Sequence, residues 1–153
     1  MAGITKAAVP LGRHHFRYFT TYATRWSDND MYGHMNNSVY HFYADSVINK
    51  FLIEQGHLDP MRSASIGLCL SNAFHYFQSV AYPEPIVAGL SVQELRTTSV
   101  TYRVGIFKES EDLTIAVGSF VHVFVDHKTR KKTPIALSLR ESLSKILVPY
   151  SHI

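Results

Sequence analysis

The stretch Asn37-Ser38-Val39-Tyr40-His41-Phe42-Tyr43-Ala44-Asp45-Ser46-Val47-Ile48-Asn49-Lys50-Phe51-Leu52-Ile53-Glu54-Gln55-Gly56 decides the architecture. On a helical wheel its aromatic and aliphatic residues cover most of the circumference. Ser38, His41, Asp45 and Asn49 fall at steps of three or four and make one narrow polar stripe, with Ser46 and Lys50 beside it. The spacing predicts a helix from Asn37 or Ser38 to Gln55, about 27 Å long at 1.5 Å per residue. Asn36, Asn37 or Ser38 supplies the N-cap, and Gly56 is the expected C-cap. A helix this apolar must be enclosed by other elements rather than laid on a surface.

The flanking sequence shows what encloses it. Phe16, Tyr18, Thr20, Tyr22, Thr24 and Trp26 alternate with period two, the mark of a strand. Beyond a loop at 57–63, four more strands are expected at 65–80, 86–95, 99–107 and 113–126, with Pro83 and Pro85 breaking the first pair. A short amphipathic helix from Pro134 to Leu147 closes the order. Strands do not alternate with helices, so the fold class is α+β, an antiparallel sheet wrapped around one long central helix. Apolar positions on the outer face of the sheet call for a second subunit, hence a homodimer or a homotetramer built from it.

Composition sets the outer bounds. The chain has 153 residues, 46% of them hydrophobic and 18% charged, which fits one domain over 1–153 and excludes intrinsic disorder. Residues 1–13, with Gly3, Pro10 and Gly12, read as a loose N-terminal arm. A single cysteine, Cys69, cannot form an intramolecular disulfide and is expected in the core. No apolar run is long enough for a membrane span. The formal charge of +3 favours anionic partners mildly, and no broad basic face points to nucleic acid. The nine histidines show no metal-ligand spacing, so no metal or cofactor is expected. Residues 1–27 lack Asp and Glu, as transit peptides do, and Ser151-His152-Ile153 faintly resembles a peroxisomal address. Cytoplasm is the expected location, with mitochondrion and peroxisome left open.

The chemistry lies just before the long helix, in Asp28-Asn29-Asp30-Met31-Tyr32-Gly33-His34-Met35-Asn36-Asn37-Ser38-Val39-Tyr40. Two carboxylates precede a helix N-terminus, whose unpaired N–H groups and positive dipole end suit a developing anion. Gly33 permits a sharp turn. That arrangement suits acyl transfer, with an acid as base or nucleophile and N–H groups holding an oxyanion. The same residue types also make ordinary turns and caps.

The string D-x-D-x-x-G-H-x-N-N-x-x-Y, on Asp28, Asp30, Gly33, His34, Asn36, Asn37 and Tyr40, resembles the 4-hydroxybenzoyl-CoA thioesterase branch of the hotdog-fold acyl-CoA thioesterases. The resemblance extends over about Phe16 to Leu147 and implies a single hotdog domain. It implies that Asp30 is nucleophile or general base and that the backbone N–H near Asn37 polarises the thioester carbonyl. Asp28 and His34 would orient the loop, with Asn36, Gly33 and Tyr40 as supporting motif positions. Coenzyme A would enter as part of the substrate, held by surface cations near the subunit boundary, for which Arg130, Lys131 and Lys132 are candidates. The alternative is a non-catalytic acyl-CoA-binding hotdog module. Phe74-His75-Tyr76-Phe77 is read as sheet core, with an acyl-pocket wall as its second reading.

Overall fold

The computed structural model describes residues 8–150; the start of the arm and the Ser151-His152-Ile153 end lie outside the described residues. The elements are β1 (Tyr18–Tyr22), α1 (Asn37–Glu54), β2 (Ser65–Tyr76), β3 (Ile86–Leu95), β4 (Ser99–Lys108), β5 (Ala116–Asp126) and α2 (Leu137–Lys145). The strands form one antiparallel sheet in the order β1-β3-β4-β5-β2, curled around α1 in the expected hotdog arrangement.

Tyr43, Ala44, Val47, Ile48, Phe51 and Leu52 of α1 are buried in one cluster with Ile86, Leu90, Tyr102, Val104, Phe120 and Phe124 of the sheet. Each large side chain so buried contributes about 1.5–3 kcal/mol. The Asn36 side chain caps the helix by accepting the Ser38 N–H at 2.9 Å. At the other end Gly56 is not the left-handed residue. His57 takes that conformation at φ 54°, whereas a Cβ on Gly56 would meet Leu139 Cδ1 and the Leu52 carbonyl at 2.6 Å. Gly56 is there for space, not for its backbone freedom.

Several expectations change for identifiable reasons. β1 ends at Tyr22 because the chain turns away: the Thr24 hydroxyl donates to the Glu84 carbonyl at 2.8 Å and residues 26–28 form a 3-10 turn. α2 starts at Leu137, not Pro134, because Ile135 is buried in the core with its N–H on the Thr97 carbonyl. The arm is docked from Leu11 onward. Leu11 is buried and donates to Thr114 Oγ1 at 2.8 Å, and Arg13 donates to the Glu111 carbonyl at 2.9 Å.

That docking also changes the account of the outer sheet face. Leu11 and Phe16 pack with Val87 and Phe107 in a second cluster, with Phe16 lying over Gly89 and Gly105, where any Cβ would collide with its ring. The chain itself covers this end of the face. Apolar surface is instead open along edge strand β2, where Cys69 is exposed rather than core, and on α1, where Phe42 is 67% exposed. The long helix is therefore enclosed on the sheet side only.

Candidate active site

The loop between β1 and α1 is held by a short ladder of its own. The Asn36 N–H donates to the Asp28 carbonyl at 2.8 Å, the Asp30 backbone N–H donates to the His34 carbonyl at 2.9 Å, and Asn29 bridges Met35. The Gly33 N–H returns to the Asp30 carbonyl at 3.1 Å, and Gly33 takes φ 83°. Nothing lies within 4 Å of where its Cβ would stand, so backbone conformation alone calls for glycine here. Met35 is buried and ties the loop to the Val80 carbonyl at 2.7 Å. These bonds set Asp30 beside the first turn of α1.

The two aspartates have different surroundings. Asp28 is buried, accepts from the Arg25 backbone N–H at 2.9 Å, pairs with the Arg25 guanidinium at 2.9 Å, and accepts the Tyr43 hydroxyl. Burial alone pushes its carboxyl up, but the hydrogen bonds from Tyr43 and Arg25 prevail and hold it below the usual carboxylate range. Burial and the Asp28 carboxylate push the Tyr43 phenol up to about 12. Asp30 is half-buried; its Oδ1 accepts the Tyr32 N–H at 2.8 Å, and Oδ2 takes no donor among the described residues. Asp28 is committed to the structure, and Asp30 keeps an oxygen in reserve.

The first turn of α1 is selective in a similar way. The Ser38 N–H goes to Asn36 Oδ1 at 2.9 Å, and the Val39 N–H to the Asn36 carbonyl at 2.9 Å. The Asn37 N–H finds no acceptor among the described residues. Of the three leading amides, the one left open is the one beside Asp30's cleft. That cleft, about 390 Å³, is lined by Asp30, Met35, Asn37, Tyr40, Tyr76, Phe77, Gln78 and Ser79. Tyr40 is buried, with its phenol pushed up to about 12 by burial and by Tyr76.

The structure thus brings together Asp30, Asn37 and Tyr40, with Gly33, Asn36 and Asp28 shaping their support. His34 contributes its backbone carbonyl while its side chain is exposed. Arg130, Lys131 and Lys132 do not join the cleft of their own chain. They follow β5, whose Asp126 pairs with Ser65, whereas the cleft lies at the Tyr76 end of β2. The eleven steps from Ser65 to Tyr76, at about 3.3 Å each, separate the two ends by about 36 Å. Tyr76 and Phe77, assigned to sheet core from the sequence, line the cleft instead; the alternating aromatics of β2 were the available signal. Among the described residues no group of three His, Cys, Asp or Glu side chains could hold a metal. No helix among them is long and apolar enough to cross a membrane.

Residues 24–143 match the thioesterase-like superfamily. The chain belongs to that family. The PA5185 protein of Pseudomonas aeruginosa is 38% identical, with a TM-score of 0.89 over 91% of this chain and 97% of that one. The PA2801 protein of the same organism, described as a candidate thioesterase, is 25% identical with a TM-score of 0.76 over 82% and 96% of the two chains. A 1,4-dihydroxy-2-naphthoyl-CoA thioesterase from Synechocystis, 12% identical, shares the fold at a TM-score of 0.75 over 83% and 95%. No curated protein matches the chain closely enough to count as a relative. Membership supports thioester hydrolysis, the activity that the motif implies.

Proposed function

We propose that the protein is an acyl-CoA thioesterase, hydrolysing its substrate to a free acid and coenzyme A. The observation that carries this reading is that an uncommitted carboxylate oxygen and an uncommitted helix N–H, on Asp30 and Asn37, border one cleft. As general base, Asp30 takes a proton from water, whose oxygen attacks the thioester carbonyl. The resulting oxyanion is held by the Asn37 N–H, and its collapse breaks the C–S bond as the departing thiolate takes up the proton from Asp30. As nucleophile, Asp30 attacks the carbonyl itself, releasing coenzyme A and leaving a mixed anhydride that water then opens.

The homodimer belongs to this proposal. Edge strand β2 is twelve residues long and leaves Leu68 and Leu70 exposed, and Phe42 of α1 is exposed as well. An unpaired edge of that length invites a second copy. If two copies of β2 pair antiparallel, the partner's basic turn comes to the Tyr76 end of this strand. The cations Arg130, Lys131 and Lys132 would then serve the coenzyme A phosphates of the partner's cleft, which explains their distance from their own. Asp126 organises that turn by accepting the Lys128 and Thr129 N–H groups at 2.9 and 2.8 Å. Location in the cytoplasm and the absence of a cofactor complete the reading.

The test is thiol release from acetyl-, octanoyl-, palmitoyl- and benzoyl-CoA by the wild type and Asp30→Asn. Hydrolysis of at least one member, reduced about 10²–10⁴-fold in the variant, is expected for loss of an acid–base group. Saturable binding of the panel without thiol release by the wild type would establish an acyl-CoA-binding module instead.

A further inference from the structure

The Asn37 N–H can hold an oxyanion only if the first turn of α1 keeps still, and helix ends fray because their leading groups lack intrahelical partners. Two bonds steady this end from within the loop, Asn36 Oδ1 on the Ser38 N–H and the Asp28 carbonyl on the Asn36 N–H. A third comes from far along the chain: the Tyr76 hydroxyl, at the end of β2, donates to the Asn37 carbonyl at 3.1 Å. Tyr76 is itself fixed in a stack of rings, edge-on to Tyr40 at 5.1 Å and stacked on Phe74 at 5.9 Å.

We propose that Tyr76 is a positioning residue of the site: its hydroxyl clamps Asn37 so that the Asn37 N–H stays aimed into the cleft beside Asp30. The role rests on the thioesterase reading above, and it adds a residue from the edge strand to the Asp30–Asn37 pair supplied by one loop and one helix. The clamp acts at the chemical step, because the oxyanion exists only once the carbonyl has been attacked. It therefore affects kcat rather than substrate affinity. The ring of Tyr76 borders the cleft, but the hydroxyl is turned to the helix.

Tyr76→Phe removes the hydroxyl and keeps the ring and its stacking. With the best substrate of the acetyl-, octanoyl-, palmitoyl- and benzoyl-CoA panel, kcat falls about 5–10-fold, the loss expected for one neutral hydrogen bond. KM is unchanged, the thermal midpoint falls by no more than about 2–4 °C, as loss of one hydrogen bond allows, and amide exchange of residues 38–41 quickens relative to the rest of α1. An unchanged kcat, or a rise in KM alone, overturns the proposal, the latter because it would make Tyr76 a substrate contact. If the wild type releases no thiol, the thioesterase reading fails and exchange decides the clamp: quicker exchange confined to 38–41 supports it, and unchanged exchange overturns it.

Discussion

The 28–37 loop and the 126–132 turn are two tight bends organised by aspartates, at opposite ends of the sheet. Asp126 spends one carboxylate oxygen on two backbone N–H groups, which holds its own carboxyl below the usual range, and the turn's Lys128, Arg130, Lys131 and Lys132 stand exposed. In the 28–37 loop the work is divided. Asp28 takes the structural bonds, and Asp30 is left with one N–H and a free oxygen beside an open helix amide. One aspartate is enough to shape a turn. Two, in these places, shape it and keep a reactive group in reserve.

The comparison breaks most readily at Asp28. Replacing it with Ala leaves the buried Tyr43 hydroxyl only the Ala23 carbonyl, at 3.4 Å, as acceptor while the exposed Arg25 returns to water. The expected loss is about 1–3 kcal/mol, read as a lower urea midpoint. Removing three of the other turn's four cations together, with Arg130→Gln, Lys131→Gln and Lys132→Gln, leaves stability and kcat alone. At about 0.2–1 kcal/mol per exposed charge it raises KM for an acyl-CoA about 3- to 150-fold, an effect that shrinks in high salt. Gly33→Ala costs about 1 kcal/mol of stability from backbone conformation alone, since the added methyl meets nothing.

The smallest effect is a pH signature. Because the Asp28 carboxyl is held low in the folded chain, its contribution is fully present above the unfolded value of about 3.9. It is lost as pH falls through the folded value. The stability gap between wild type and Asp28→Asn is therefore constant near neutrality and closes in acid. A gap that widened below about pH 4 would show the opposite shift.

What the sequence made legible was local. The periodicity of residues 37–54, the Asn36 cap, the starts of β2, β3 and β4, and the Asp30–Asn37 spacing all depend on neighbours a few residues apart. What it concealed depends on the order of strands. Cys69 reads as core in Leu68-Cys69-Leu70, yet β2 is an edge, so the thiol is open. Arg130–Lys132 read as coenzyme A contacts near a subunit boundary, but only the pairing of Asp126 with Ser65 shows that they stand a strand's length from their own cleft. Tyr76 reads as sheet, and only the curl of the sheet brings its hydroxyl to Asn37.

The central claim is that Asp30 carries the chemistry and Asp28 the structure. It is tested by measuring, side by side, kcat on one saturating acyl-CoA and the thermal midpoint of Asp30→Asn and Asp28→Asn. The expected result is a kcat lowered about 10²–10⁴-fold at an unchanged midpoint for Asp30→Asn. Asp28→Asn should show a lowered midpoint with most of its turnover retained. A folded, fully active Asp30→Asn, or a loss of turnover confined to Asp28→Asn, would contradict it.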